Sequence, residues 1–580
     1  MAAQPVSLSG PKGDAHVDTK KHPDTYAIST SPGASDEDLA LDNDQSGPNP
    51  FLDPKVAEIY RNVYDKAEYE CRHVFDPDLR WAKAEEKKLV NKLDWHVAAW
   101  ACAMFFALNL DRSNLKQAIS DNLLDDLGLT TDVYNFGNTI FYLSFLLAEL
   151  PSQLISKKIG PDRWIPMQMV LWSVVAASQC ALQGKASFYA CRSLLGILEG
   201  GFIPDLILWL SYFYKSGELS VRLSFFWTTS DVTVVIASFM AYGLLQMEGV
   251  NGMEGWRWLF LIEGLITLVI GLASFFLMPA SAVQTKTWFR PKGWFSDREV
   301  SVVVNRVLRD GTIDMSIVVH TRKELTSLRF PDPSKGDMHN RMGITPSSLW
   351  AAICDYDMWP IYLIGLVVYI PYNPPSTYLT LSLKNLGFST LHTNLLSVPC
   401  ELAAAFTLLG LTWLSEKVGE RSFICSFQNW WILPCLIALR WWPGANLTSE
   451  AWNTYALITI LLSYPYCHAI VVAWASRNSG SVRTRSVSAA FYNMMVQTGN
   501  IVASNIYRTD DKPLYHRGNS ILIALNFLAI ALFALTKWYY VSRNKRREQV
   551  WGAMSEEQRA EYLETTKHEG NKRLDFRFAH

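Results

Sequence analysis

The sequence predicts an all-α membrane protein whose twelve transmembrane helices form two six-helix bundles. Three observations carry that prediction. From Trp95 to Tyr540 the chain is a succession of apolar runs, each near the roughly 20 residues that cross a hydrocarbon core about 30 Å thick. A long polar stretch, Ala280 to Pro346, divides those runs into six and six. A short pattern also recurs at corresponding places: LISKKIGPDR (Leu154–Arg163) leaves segment two, and WLSEKVGER (Trp413–Arg421) leaves segment eight.

Taken in order, residues 1–55 are rich in Ser, Pro, Gly, Asp and Lys and poor in aliphatics. Such a composition cannot bury enough surface to fold, so this part reads as a disordered cytosolic tail. Residues 56–92 are charged and helix-forming, end in AEEKKLVNKLDW, and read as a cytosolic juxtamembrane helix. The first bundle, 93–279, holds segments near 93–110, 135–155, 164–182, 188–213, 223–245 and 256–278. A cytosolic loop, 280–352, separates it from the second bundle, 353–541. That bundle holds segments near 358–379, 394–414, 423–439, 452–474, 487–506 and 520–540. The cytosolic tail, 542–580, is charged and helix-forming through SEEQRAEYLETTK.

The repeat matches Ser156, Lys158 and Gly160 with Ser415, Lys417 and Gly419, and the same offset pairs Asn135 with Asn394. Two halves of the same hand joined by a long loop suggest a transporter with its site between the halves. Orientation follows from basic residues, which favour cytosolic loops. Lys157, Lys158, Arg163, Lys215, Arg222, Lys417, Arg421, Arg477, Arg483 and Arg485 share one side with the basic tail. The opposite loops are poorer, apart from Arg508, Lys512 and Arg517. Both termini are therefore expected in the cytosol of a multi-pass protein, with the plasma membrane the expected location. Lys158, Arg163, Lys417 and Arg421 are expected to be structural or gating residues. The sequon Asn446-Leu447-Thr448 falls on the outer side and makes Asn446 a candidate glycosylation site.

Composition narrows the function. With 49% hydrophobic residues and a net charge of -1, the chain has no basic tract of the kind nucleic acid needs. The N-terminus lacks an apolar core, so the first membrane helix is expected to act as its own insertion signal. Most of the nine cysteines sit in apolar runs and none has metal-ligand spacing, which reads as packing. No metal site, cofactor motif, nucleophile–base set or phosphate loop stands out, so an enzyme is not expected.

Charges inside apolar helices cost about 2.5–3.5 kcal/mol each on insertion scales and need a reason. Segment four reads CRSLLGILEGGFIPDLILWLSYFYK, and Arg192, Gly196, Glu199, Gly200 and Ile203 lie near one helical face. Its glycines permit close contact with a neighbouring helix. Arg192 and Glu199 stand two turns apart, roughly 10 Å, so each needs a partner elsewhere. Candidates are Asp111 and Arg112 in ALNLDRSNLKQA, with Glu149, Asp231, Glu263 and Glu401. A carboxylate whose arginine leaves it when substrate binds is a proton switch, and an arginine fork suits a carboxylate or sulfonate.

Structural roles compete for several of these. Arg192 could cap carbonyls, and Glu149 could stabilise the bend at Pro151 or pair with a loop arginine. Asp231, beside Thr228, Thr229 and Ser230, could be a helix contact, and Glu263, after GWRWLFLIE, could pair locally. His468 beside Pro465 reads as packing before proton relay, and Gln497 and Asn500 as interhelical contacts or ligands.

DRSNLKQA, RSLLGILEGGFIPD, GWRWLFLIEG and IYRTDDKPLYHRGN together resemble the major facilitator superfamily. More narrowly they resemble its anion:cation symporter branch and the fungal allantoate permease subfamily, over about Leu93 to Tyr540. Departures are a remnant interhelix motif in KKIGPDR and an acid, Asp205, after Pro204. The resemblance implies the major facilitator fold, alternating access, and proton-coupled uptake of small organic anions or vitamins. It implies proton coupling at Asp111 and Glu199 and anion binding at Arg112 and Arg192.

Asn114, Gln497, Tyr369 and Asn373 are added here as substrate contacts, and Glu149, Asp231 and Glu263 as structural or gating residues. The expected partners are a small-molecule organic anion, protons and the lipid bilayer, with no nucleic acid and a monomeric chain. The proton gradient, not a cofactor, is the expected energy source. Efflux of a secondary metabolite and non-transporting nutrient sensing stand as alternatives.

Overall fold

The computed structural model describes residues 71–310, 352–441, 451–479, 482–512, 515–566 and 570–580, with residue 350 and a few positions between 49 and 65. The expected disorder of residues 1–48, the middle of the central loop and the sequon at Asn446 lie outside the described residues. Among the described residues the architecture is helical, and the chain crosses from end to end twelve times. The end that carries both tails is called the tail end here, and the opposite one the far end.

Helix α1 runs Lys83–Ala118, longer than expected. The juxtamembrane helix passes through one wide turn, Asp94–Ala98, straight into the first span. Asp111 and Arg112 therefore sit inside a helix that continues about two further turns, not at its exit. Next come α2 (Thr131–Ile159), α3 (Pro161–Ser178), α4 (Lys185–Ser211), α5 (Ser216–Leu244) and α6 (Gly255–Leu277). The second bundle holds α7 (Trp359–Val367, Asn373–Thr377 and Leu379–Asn385) and α8 (Thr390–Leu396 and Val398–Val418). It is completed by α9 (Ser422–Trp441), α10 (Ala451–Leu462 and His468–Asn478), α11 (Val482–Ala503) and α12 (His516–Ala553).

The interruptions have local causes. Helix α7 breaks in a stretch holding Pro371, Pro374 and Pro375, and α10 breaks at Pro465, because proline removes a donor and crowds the preceding turn. The repeated Ser…Gly pattern is a helix stop in both halves. Gly160 (φ +102) donates to the Ser156 carbonyl at 2.8 Å, and Gly419 (φ +69) donates to that of Ser415 at 2.9 Å. Both backbones lie where a side chain is strained, so glycine ends the helix cheaply.

Among the described residues, eight helices are each long and apolar enough to cross a membrane. The outer faces expose large apolar side chains such as Phe225, Phe239, Val269, Phe406, Trp430 and Phe527. A surface of this kind is stable against lipid and not against water.

Two caps lie at the tail end, one beneath each bundle. A loop helix, Asp297–Asp310, docks beneath the first bundle with the segment before α1. Arg306, fully buried there, donates to Glu218 at 2.9 and 3.0 Å and to the Phe213 carbonyl at 2.8 Å. Arg298 pairs with Glu85 at 2.7 Å and Lys92 with Glu299 at 2.8 Å. Beneath the second bundle the C-terminal segment folds back. Phe578 is buried against Tyr540, and Ala579 is held by Trp474 and by both polar atoms of the Asn478 side chain.

Within the first bundle α4 lies directly on α2. A β-carbon on Gly196 would stand 2.4 Å from the Phe141 carbonyl oxygen and 2.9 Å from Ser144 Cβ. Gly196→Ala is therefore expected to destabilise by about 1–3 kcal/mol, as overpacked cores do. Gly410→Ala, which meets nothing within 4 Å, is the control and is expected to be neutral or slightly stabilising. Thermal unfolding of the purified protein checks the pair.

Candidate functional site

The close approach of α4 to α2, and the reach of the long Arg112 side chain from α1, decide where the intramembrane charges go. Arg112 reaches Glu199 with a 2.7 Å contact from Nε to Oε2. Glu199 is 1% exposed and Arg112 27%, so the cation faces open space while its partner lies behind it. Arg112 also stands 5.3 Å from the Phe145 ring and 5.8 Å from that of Phe141. Arg192, from the next two turns of α4, lies 4.3 Å over Phe141 and donates to Asn138 Oδ1 at 3.1 Å. Tyr142, half-buried on the same face of α2, looks toward both arginines and toward Asn373 of the second bundle. Arg192 and Glu199 each find a separate partner, as their spacing on α4 requires, and two guanidinium groups come to share one aromatic floor.

Asp111 points about 100° around α1 from Arg112, and its carboxylate still faces Glu199. It is buried, accepts from Trp172 Nε1 at 3.1 Å, and faces Thr267 and Glu263 of α6. Glu263 is 0% exposed, and neither of its carboxylate oxygens has a hydrogen-bond partner among the described residues. The local partner suggested by GWRWLFLIE is taken elsewhere: Arg257 pairs with Glu254 and donates to the Cys180 and Leu182 carbonyls. Asn114 is also fully buried, with its side-chain atoms unpartnered among the described residues. It lies about 200° around α1 from Arg112 and is not brought to the arginine pair.

The remaining acids lie where the helices meet. Glu149 accepts from Asn493 of the second bundle at 3.1 Å, instead of pairing with a loop arginine. Asp205 faces Glu149 and Ser156. Asp231 faces Glu401 of α8, while its neighbours Thr228 and Thr229 bond within α5 and Ser230 bonds Asn109. In the second bundle Asn373, Asn500 and Gln497 form a chain, Asn373 Nδ2 to Asn500 Oδ1 at 2.9 Å and Asn500 Nδ2 to Gln497 Oε1 at 3.1 Å. Tyr369 is 2% exposed and shares a 2.7 Å hydroxyl contact with Tyr492, deeper among Tyr466 and His468. At the tail end Lys158 and Arg163 are exposed, Lys417 covers the Trp413 ring, and the Arg421 amide donates to the His580 carbonyl.

The far end is closed by hydrogen bonds between the bundles. Asn135 donates to the Tyr507 carbonyl at 2.6 Å and accepts from Tyr378. Its repeat partner Asn394 donates to Ser120 at 3.1 Å. Thr380 donates to the Lys116 carbonyl at 2.7 Å, Asn505 to Thr139 at 2.8 Å, and Ser238 and Ser397 meet at 2.9 Å. Lys384 donates to the Asp121 carbonyl at 3.1 Å. Asn138, Phe141, Tyr142 and Phe145 were absent from the sequence reading, although their three-four spacing with Asn135 marks one face of α2. Asn493 and Trp172 had no comparable signal.

Asp121 allows a test of this closure. Burial between the helix ends lifts its carboxyl to about 6; Glu248 and Asp126 push the same way, and Lys384 and the Trp256 amide oppose them. Opening rehydrates Asp121 and returns it toward 3.8, so a proton favours the closed end, and that advantage fades as pH rises through about 6. A Ser120→Cys thiol, labelled by a maleimide and normalised to the unfolded protein at each pH, is expected to react more slowly at pH ~5.5 than at pH ~7.5. Asp121→Asn is expected to flatten that difference.

A model of the Major Facilitator Superfamily matches residues 101–504. An uncharacterized transporter of Saccharomyces cerevisiae, YIL166C, is 41% identical over 548 residues, 94% of this chain and 97% of that one. The major facilitator-type transporter hxnP of Emericella nidulans is 25% identical over 81% of this chain and 88% of its own. Among solved structures, a bacterial homolog of the human lysosomal transporter Spinster, inward-facing and occupied, superposes with a TM-score of 0.53. It is 14% identical and covers 76% of this chain and 96% of that one.

Proposed function

This chain belongs to the major facilitator superfamily, and on that premise we propose that this multi-pass membrane transporter is a proton-coupled symporter of small organic anions. The observation that carries the reading is the pair of Arg112 with Glu199, a half-open cation on a closed acid. An anion entering between the bundles competes with Glu199 for the Arg112 fork, and Arg192 offers a second grip one aromatic ring away. Once displaced, Glu199 is a buried carboxylate without its cation, which costs several kcal/mol unless it takes a proton. Anion and proton therefore enter as a unit. Asp111, which faces both Glu199 and Glu263, is a second protonatable group.

The Asn373–Asn500–Gln497 chain supplies hydrogen bonds from the opposite wall. The motifs DRSNLKQA and RSLLGILEGGFIPD support placing the chain in the anion:cation symporter branch and its fungal allantoate permease subfamily. The basic loops at the tail end support a cytosolic tail end; the plasma membrane is the proposed location and uptake, driven by an inward proton gradient, the proposed direction.

Uptake into proteoliposomes under an imposed pH gradient tests this, using labelled nicotinate, pantothenate, biotin, allantoate and methanesulfonate. Wild type is expected to accumulate at least one of these, and a protonophore is expected to abolish the accumulation. Glu199→Gln is expected to keep counterflow while losing gradient-driven accumulation by at least about tenfold, the loss of a coupled charge. Arg192→Ala is expected to raise KM about tenfold or more, the worth of one charge-assisted hydrogen bond. Accumulation indifferent to protonophore, or unchanged in the Glu199→Gln, Arg192→Ala double variant, refutes the assignment.

A further inference from the structure

Trp288 and Phe289 are 87% and 40% exposed, two large apolar rings in the polar stretch after α6. The backbone holds them in a fixed place. Thr287 and Arg290 exchange both amide-to-carbonyl hydrogen bonds, at 3.1 and 3.0 Å, which leaves Trp288 and Phe289 as a two-residue turn. The base is closed as well. The Gly293 amide donates to the Arg290 carbonyl at 3.0 Å, and the Trp294 amide donates to Thr285 Oγ1 at 3.3 Å. Behind the base the Trp294 ring lies 5.0 Å from His96 of α1, and Phe295 is buried.

Two contacts set the depth of the turn. Arg290 donates from Nη2 to the Phe276 carbonyl at 2.8 Å, and the Phe289 ring stands 5.4 Å from that of Phe276. Phe276 lies in the last turn of α6 and ends a row of exposed apolar side chains, Leu265, Val269, Leu272 and Phe276. Their three-four spacing makes them one stripe, the face that α6 turns to lipid. Phe289 and Trp288 carry that stripe past the helix end. A tryptophan at this level meets the boundary between hydrocarbon and headgroups, where its amphipathic ring is most stable.

Cations flank the two rings in KTWFRPK, at Lys286, Arg290 and Lys292. Arg290 lies 4.3 Å over the Trp294 ring and 5.3 Å from that of Phe289, while Lys286 and Lys292 are exposed. Among the described residues Arg290 bonds to a carbonyl and to no acid, and Lys292 has no ion pair. Lys286 pairs with Asp297 at 2.9 Å, a pair open to water on both sides and therefore cheap to exchange. Rings at the hydrocarbon boundary with cations beside them match the two parts of an anionic phospholipid surface.

We propose that the 286–292 turn is a membrane anchor that binds anionic phospholipid. Trp288 and Phe289 enter the hydrocarbon boundary, and Lys286, Arg290 and Lys292 meet the headgroups. The anchor does not depend on the symporter reading; it needs only that α6 spans a membrane. The loop helix Asp297–Asp310 follows directly, so bound lipid fixes the start of the cap beneath the first bundle.

Position is read from an NBD fluorophore on Trp288→Cys in nanodiscs of phosphatidylcholine and phosphatidylserine, after subtracting the parent protein labelled in the same way. A phosphatidylcholine spin-labelled at the headgroup end of its chain is expected to quench the fluorophore, and aqueous iodide is not. Fluorescence that the spin-labelled lipid leaves unquenched overturns the anchor, because the turn then faces water or protein.

Headgroup preference is read separately, by native mass spectrometry of the full-length protein with phosphatidylserine or phosphatidylcholine added in detergent. The parent is expected to prefer phosphatidylserine. Lys292→Gln, which alters an exposed side chain, is expected to lower that preference about fivefold, the worth of one basic residue at an anionic surface. Adding Lys286→Gln is expected to lower it further. A parent-like preference in the double variant overturns headgroup binding. Soluble glycerophosphoserine is expected to leave the lipid bound; displacement at equal concentration assigns the cations to a free anion and overturns the anchor.

Discussion

Arg112 cannot lose its charge inside a protein, and its partner Glu199 can. The rest of the site depends on that inequality. Burying the pair is costly for both ions, and removing either leaves the other stranded at a penalty of about 3–5 kcal/mol. An arriving anion can take the place of Glu199 without stranding Arg112, since one counter-ion replaces another. Glu199, already closed off from water, is left with neutralisation as its escape. On the proposed reading, proton and anion are coupled by the cost of an unpaired buried charge.

The fold makes that inequality possible by bringing α4 against α2, within reach of the Arg112 side chain on α1. Gly196 and Gly200 remove the side chains that would hold the helices apart, and the backbone of α2 takes their place. Phe141 and Phe145 then supply an apolar floor under both guanidinium groups, which are satisfied by ring faces as well as by oxygen. On the other side of the seam the Asn373–Asn500–Gln497 chain keeps polar atoms at the interface instead of within the bundle. Apart from the Lys384 ammonium on the Asp121 carbonyl, the far-end contacts named above are neutral hydrogen bonds, each worth about 1 kcal/mol, and such a seam can open without an excessive barrier.

Much of this was legible in the sequence, for physical reasons. Apolar run lengths, set by bilayer thickness, gave the helix count and the two-bundle division. The cost of intramembrane charge picked out Arg112, Arg192 and Glu199, and the structure gathers them. The Ser…Gly repeat marked two helix stops, and its paired asparagines both became cross-bundle contacts at the far end.

Other features were not legible. Which acid Arg112 chooses depends on helix rotation, which separates it from its neighbour Asp111, and Asn114 lies on the far side for the same reason. The partner of Glu149 sits more than three hundred residues away in the other bundle. The docking of the loop helix and of the C-terminal segment was missed because polar composition alone suggested solvent. Arg306 and Phe578 are instead buried by surfaces that exist only once the bundles are assembled.

The central claim is that anion binding at Arg112 transfers a proton requirement to Glu199. Proton uptake by the purified protein in weakly buffered detergent solution measures this directly, when a transported anion of the panel is added. The account predicts that wild type takes up a proton as the anion binds, so the solution turns more alkaline, and that Glu199→Gln binds the anion with no such change. Binding without proton uptake in wild type, or equal uptake in Glu199→Gln, would contradict it.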